Sequence, residues 1–301
     1  MSRQYDQTAM PDMIDDGLNL SVIDDTSAQE IDTYLGVMRR THGPLYEMTA
    51  NALWLDSRPD FVKLHRRGAR IFGRVDGVLD PVRGPLTGLG LLFDYILLGW
   101  EDGILNQIDS LKFRKVSKAQ IMETVMAAQC WGGMKCLQNV YRAANVYLRE
   151  YKDSAEPAVF PPGWAPDSDA FKSGLDMATL DFTAQDKTNL FGWYERTLGE
   201  VPRSVQFAAT YNPAFLKAFR LKWENAFKGA LPKQMMPIYM LRNNTLAGRK
   251  DGMREAALLA KAWGVSRDWI TYEVTHIGYY FTGLEGLYAV DEALGDILES
   301  W

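Results

Sequence analysis

Along this chain the apolar positions recur mostly three and four residues apart, the period of a helix that buries one face. Alternating β-branched runs of the kind a sheet needs are scarce. The pattern predicts an all-α protein. Helical spacing starts near Ala28, runs to about Glu150, fails, and resumes from about Thr188 to the C-terminus. The failure is sharpest in YKDSAEPAVFPPGWAPDSDA, residues 151–170, where four prolines remove helical N–H donors and force extended backbone before them. Residues 1–28 carry the acidic pairs Asp15–Asp16 and Asp24–Asp25 with little periodicity. The expected organisation is therefore a polar arm over 1–28, a first helical repeat over 29–150, a Pro-rich linker over 151–186 and a second helical repeat over 187–301.

The word repeat rests on a register. Gly99-Trp-Glu-Asp102-Gly103 lies over Gly248-Arg-Lys-Asp251-Gly252, an offset of 248 − 99 = 149. Without a gap the same offset pairs Leu92 with Leu241, Lys112 with Lys261, Val116-Ser117 with Val265-Ser266, Ile121 with Ile270 and Val125 with Val274. One inserted residue then brings Gly133 onto Gly283 and Leu137 onto Leu287. Upstream, Pro59-Asp60-Phe61-Val62-Lys63 resembles Pro213-Ala214-Phe215-Leu216-Lys217 at 213 − 59 = 154. Two divergent tandem copies follow. Each reads as a proline-started helix, an apolar helix ended by Gly99 or Gly248, an amphipathic helix, and a last helix whose N-cap is Ser117 or Ser266.

Composition narrows the partners. With 33 Lys+Arg against 38 Asp+Glu the net charge is −5, so no positive field is present to hold a nucleic-acid backbone. Two cysteines cannot build a disulfide framework, and the N-terminus lacks the basic-then-apolar order of an export signal. A cytoplasmic location is expected. The most apolar stretch, GLGLLFDYILL, is about half the length that crosses a bilayer and carries Asp94, so no membrane role is expected.

The second copy is similar to the γ-carboxymuconolactone decarboxylase and alkylhydroperoxidase-D-like superfamily. The residues that carry the likeness are Gly248 and Arg249, the Gly264-Val-Ser266 turn, and Ile270, Glu273, Val274, His276, Tyr280 and Gly283 on the helix after it. The resemblance implies an all-α fold built of two such units, an assembly into a homo-oligomer and an activity without a cofactor. Peroxidase members carry a Cys-x-x-Cys pair and a histidine, because a low-pKa thiolate must attack and a second thiol must resolve. Arg249, Gly252 and Ala256 stand at those positions, and Trp100, Gly103 and Gln107 in the first copy, so thiol peroxidase chemistry is not expected. Cys130 and Cys136 read as buried small hydrophobes.

Only His42, His65 and His276 are present, without metal-ligand spacing or a framing carboxylate cluster, and no metal site is expected. His42 reads as a loop residue and His65 as a solvated helix residue. Glu273, His276 and Tyr280 fall at i, i+3 and i+7 on one stripe, where a carboxylate can orient an imidazole and a phenol can donate to an oxyanion. Arg242-Asn243-Asn244 interrupts an otherwise apolar helix. Arg242 must there meet a carboxylate such as Glu273, a carbonyl or an anionic ligand. Asp94 lies opposite Asn243 in the register, which suggests a cavity between helices.

Two functions of different class are compatible with this. The first is a cofactor-free acid/base enzyme, a decarboxylase, hydrolase or isomerase, acting on a small anionic or cyclic metabolite. In it His276 transfers the proton, Glu273 orients it, Tyr280 donates, and Arg242, Arg249 and Asn243 hold the substrate. The second is a non-catalytic descendant that binds a ligand or a partner in the old pocket.

Overall fold

The computed structural model describes residues 17–22, 27–45, 49–76, 82–154 and 157–301. Among the described residues there are fourteen α-helices and no strands. None of the helices is long and apolar enough to cross a membrane. The chain forms two compact units, one of residues 1–121 and 136–161, the other of residues 122–135 and 162–301.

The first unit contains α1 (Ala28–His42), α2 (Thr49–Ser57), α3 (Pro59–Asp76), α4 (Arg83–Leu98), α5 (Glu101–Phe113), the start of α6 (Lys118–Gly132) and α7 (Met134–Glu150). Helix α1 opens with a capping box, the Ser27 hydroxyl accepting from the Glu30 N–H and the Glu30 carboxylate accepting from the Ser27 N–H. The other oxygen of Glu30 accepts from the Asn19 N–H at 2.7 Å. The buried ammonium of Lys63 reaches Glu30 at 3.0 Å and the Val22 carbonyl at 2.9 Å. Most of the expected arm, residues 1–16 and 23–26, lies outside the described residues; within the rest, Leu18 is buried against Tyr34, Val37, Met38 and Val62. His42 closes α1 and is half-buried. His65 is not a solvated residue: its ring packs 5.1 Å from that of Trp54, and burial, helped by the charge of Arg66, lowers its pKa to about 4.

The second unit contains the rest of α6, then α8 (Ala184–Leu198), α9 (Arg203–Tyr211), α10 (Pro213–Glu224), α11 (Met235–Leu246), α12 (Lys250–Ala262), α13 (Arg267–Ile277), a π-helical turn (Gly278–Thr282) and α14 (Gly286–Glu299). Helix α11 is buried all round from Met235 to Thr245 and packs against α12, α13 and α14, as expected of a helix without a polar face. The stretch with linker composition is structural from Pro162 onward. Trp164 packs 4.4 Å from Trp269, and Phe171, on a short 3₁₀ helix (Ser168–Phe171), meets Trp223, Phe227 and Trp263 edge-on. Helix α6 contributes Glu123, whose carboxylate is buried and accepts from three backbone N–H groups, those of Lys228 (2.5 Å), Ala230 (3.0 Å) and Leu231 (2.8 Å).

Helix α8 also opens with a capping box, Thr183 with Asp186. Asp186 accepts in addition from the Asp176 N–H (2.8 Å) and pairs at 2.9 Å with Lys217, which donates to the Asp181 carbonyl at 2.7 Å. Both side chains are 2% exposed. Burial pushes the Asp186 carboxyl up, but the Asp176 N–H, Lys217 and Thr183 together outweigh it and hold the pKa at about 2. A carboxyl whose folded pKa lies below its unfolded value contributes stability that is present above pH ~4 and is lost as the pH falls toward ~2. Asp186→Asn is therefore expected to unfold ~3–5 kcal/mol more easily at pH 7, because it leaves Lys217 buried without its anion. In urea melts that gap should narrow by ~2 kcal/mol between pH 4 and pH 2.

Candidate functional site

Arg242, Glu273 and His276 are brought together inside the second unit. Trp269, Glu273 and His276 lie at i, i+4 and i+7 on α13, one stripe of that helix, and face α11. Arg242 is fully buried. Its Nη1 donates to Glu273 Oε2 in a buried ion pair, and its Nη2 lies 3.2 Å from His276 Nδ1. The other Glu273 oxygen accepts from Trp269 Nε1 at 2.8 Å. A guanidinium can only donate, so His276 Nδ1 accepts and the imidazole carries its proton on Nε2. Burial, and then the charge of Arg242, hold the His276 pKa well below the usual imidazole value. The ring of Tyr280 lies 4.5 Å from that of His276, reached through the π-helical turn.

The Arg242–Glu273 pair is among the partnerships the sequence allows, whereas Glu273 does not bond to His276. Both oxygens of Glu273 serve Arg242 and Trp269, and the group bonded to His276 Nδ1 is Arg242. Glu273 and His276 are buried, at 1% and 2% exposure. Asn243 is buried beside them in sequence, and its Nδ2 has no hydrogen-bond partner among the described residues. Arg249 is not part of the cluster: it is exposed and forms the N-cap of α12.

Arg249 lines a groove of about 990 Å³ in the second unit, walled by α8, α9, α10, α11 and α12. Its wall includes Trp193, Tyr194, Phe219 and Trp223. Arg220 is clamped there, with its guanidinium carbon 4.0 Å from the Trp193 ring and 4.2 Å from the Trp223 ring. It pairs with Glu224 at 2.9 Å and donates to the Phe171 carbonyl at 3.0 Å and to the Tyr194 hydroxyl at 3.3 Å. The Tyr194 hydroxyl, accepting from Arg220, keeps its own proton for another acceptor.

On the same wall stands Glu255, half-buried on α12. Among the described residues nothing hydrogen-bonds or ion-pairs with its carboxyl group. Burial raises its pKa to about 7, with Arg220 pulling the other way. A carboxyl that holds or releases a proton near neutrality, in a groove large enough for a small metabolite, is equipped for proton transfer. Reading the sequence alone misses Glu255 because Arg-Glu-Ala-Ala at 254–257 looks like the solvated side of an amphipathic helix.

The cysteines lie elsewhere. Cys130 and Cys136 are free and buried, and burial pushes the Cys130 thiol up to about 11, away from thiolate reactivity. Among the described residues no three His, Cys, Asp or Glu side chains gather as metal ligands would. Compared with protein-family models, with curated proteins and with solved structures, the chain matches none.

Proposed function

We propose that the chain is a doubled helical unit similar to the carboxymuconolactone decarboxylase and alkylhydroperoxidase-D-like superfamily. In this reading its second half is a cofactor-free acid/base enzyme for a small anionic or cyclic metabolite, working in the groove with Glu255 as the proton-transfer group. The observation that carries the reading is the unpartnered Glu255 carboxyl on an aromatic groove wall. Arg249 and Gly252, which stand where the resembled family sets its two thiols, line the same groove.

The doubling is supported turn by turn. Gly99 and Gly248 both end a helix at positive φ, 76° and 63°. The next N–H in each case, Trp100 or Arg249, returns to the carbonyl of Tyr95 or Asn244. Lys115 (φ 64°) and Gly264 (φ 77°) make the same left-handed step before a serine N-cap. All of these pairs keep the offset of 149, since 248 − 99, 244 − 95 and 264 − 115 agree.

The likeness also reaches further upstream than the aligned prolines. Glu30 with Lys63 and Asp186 with Lys217 are each a third-position capping-box acid held by a buried lysine and by an N–H from a Gly-Leu-Asx turn, Gly17-Leu18-Asn19 or Gly174-Leu175-Asp176. Asn106 stands at the first-copy position of Glu255, 255 − 149 = 106. Proton transfer thus falls to the second copy alone.

In this reading the substrate enters the groove, Glu255 gives or takes a proton at its reacting carbon or oxygen, and the Tyr194 hydroxyl donates to a developing negative oxygen. Arg242, Glu273 and His276 hold α11 to α13 behind that chemistry. Exposed Leu284 and Tyr288, 80% and 76% accessible, support a homo-oligomer as the assembled form.

The test is turnover of small ring-bearing acids followed by NMR, with the pH profile of the substrate that reacts. Activity is expected to change with a limb near pH 7, and Glu255→Gln should abolish that limb. A profile flat through neutrality, or activity lost in His276→Ala and kept in Glu255→Gln, moves the chemistry out of the groove. A groove that binds such acids and converts none is the non-catalytic descendant.

A further inference from the structure

We propose that the groove of the second unit selects a planar aromatic ring bearing one anionic group, with the ring held by Phe215 and Phe219 and the anion held by Arg203 and Arg249. This rests on the groove being the active site and adds what the groove accepts.

The ring half of the proposal follows from aromatic faces the fold leaves open. Phe215 lines the groove yet is 57% exposed, and its ring lies nearly parallel to that of Phe219, 6.0 Å away at 27°. Phe219 is half-buried on the same lining, with the Lys222 ammonium 6.0 Å from its ring. Large aromatic faces left in water inside a concavity gain when a flat apolar group covers them, by burial and by stacking. A cationic ligand has less to gain, because Arg220 already occupies the faces of Trp193 and Trp223.

The anionic half follows from which basic groups are already used. Of the five basic residues on the lining, Arg220 is spent on Glu224, Lys250 pairs with Glu292, and Arg254 makes two parallel bonds to Asp296 at 2.7 and 2.8 Å. Arg203 and Arg249 are exposed and have no ion pair or hydrogen bond from their guanidinium groups to any described residue. The acids of the rim have other company. Glu200 lies in the field of Arg254, and Asp251 sits in the first turn of α12, where a helix N-terminus favours negative charge. Two exposed guanidinium groups without an ion pair on one lining match a carboxylate, which arginine binds through two parallel hydrogen bonds. Glu255, half-buried on the same lining, disfavours a second negative charge beside it. The anion therefore goes to Arg203 and Arg249, and the ring to Phe215 and Phe219.

Titration of the full-length protein by calorimetry, with tryptophan fluorescence as a second readout, separates the two halves. The probes are benzoate, benzyl alcohol, acetate and benzylammonium. Benzoate is expected to bind at least about tenfold more tightly than each of the others. The double variant Arg203→Gln/Arg249→Gln should bring benzoate down to the level of benzyl alcohol and leave benzyl alcohol unchanged. Phe215→Ala should weaken benzoate and benzyl alcohol alike. Benzyl alcohol, acetate or benzylammonium binding as tightly as benzoate overturns the proposal, and so does unchanged benzoate affinity in the double arginine variant. Glu255→Gln is expected to keep benzoate binding. A selective groove without turnover therefore sinks the acid/base reading alone, and turnover in a groove without this selectivity sinks only the present inference.

Discussion

Arg242→Met is expected to destabilise the protein by about 3–5 kcal/mol, read as a lower urea midpoint at unchanged slope. The reason is what it leaves behind. Glu273 is left in the interior with the Trp269 indole N–H as its remaining donor among the described residues, and His276 Nδ1 loses the Arg242 N–H. Desolvating an unpaired carboxylate costs more than the missing attraction alone suggests. The double variant Arg242→Met/Glu273→Leu should regain most of the loss, because it removes both charges together. A single variant that loses less than about 1 kcal/mol would remove the network from the list of interactions that hold α11 to α13.

Glu255→Gln is expected to lower kcat by about 10²–10⁴-fold, the range a positioned proton-transfer group supplies. The same change acts on stability with the opposite sign. The folded pKa near 7 lies above the unfolded value of about 4.3, so the folded state holds an extra proton between those values. Stability contributed by the protonated carboxyl is thus full below pH ~4, falls as the pH rises to ~7 and is gone above it. Glutamine, isosteric and uncharged, should match the wild type near pH 4 and exceed it at pH 8. The excess should be on the order of 2 kcal/mol, after allowing for the partial exposure of the group. Denaturant melts at the two pH values, beside turnover, check both halves. A variant as fast as the wild type and no more stable at pH 8 would leave Glu255 an ordinary surface acid. A gain in stability bought with activity is common where a site holds a strained or desolvated charge.

The helical class was legible because the helices keep an apolar stripe and mark their ends. Ser266 caps α13 by accepting from the Trp269 N–H, and Ser117 with Gln120 forms a capping box at α6. Gly99 and Gly248 stop their helices in the left-handed region that glycine enters without strain. Arg242 was legible as a buried cation in need of a partner, and Glu273 as one of its possible anions. The proton-transfer set was less so. Helical spacing places Glu273, His276 and Tyr280 on one stripe, but spacing carries no information about which side chain on a facing helix takes the hydrogen bonds. Glu255 escaped for a related reason. The side of α12 that carries it becomes a groove wall only through Trp193 and Tyr194 of α8 and Phe219 and Trp223 of α10, residues distant in sequence. The upstream part of the proposed doubling is hidden from an ungapped comparison by a difference of one residue in loop length. Asn19 precedes Ser27 by eight positions and Asp176 precedes Thr183 by seven, which breaks an ungapped comparison.

Helix α6 runs without a break from residues of the first compact unit into residues of the second. A gene truncated at the proline-rich stretch to encode only residues 162–301 would therefore omit Glu123, and the amide protons of 228, 230 and 231 would have no carboxylate to receive them. Whatever selection acts on the second half must also preserve a stretch of coding sequence that lies before the junction.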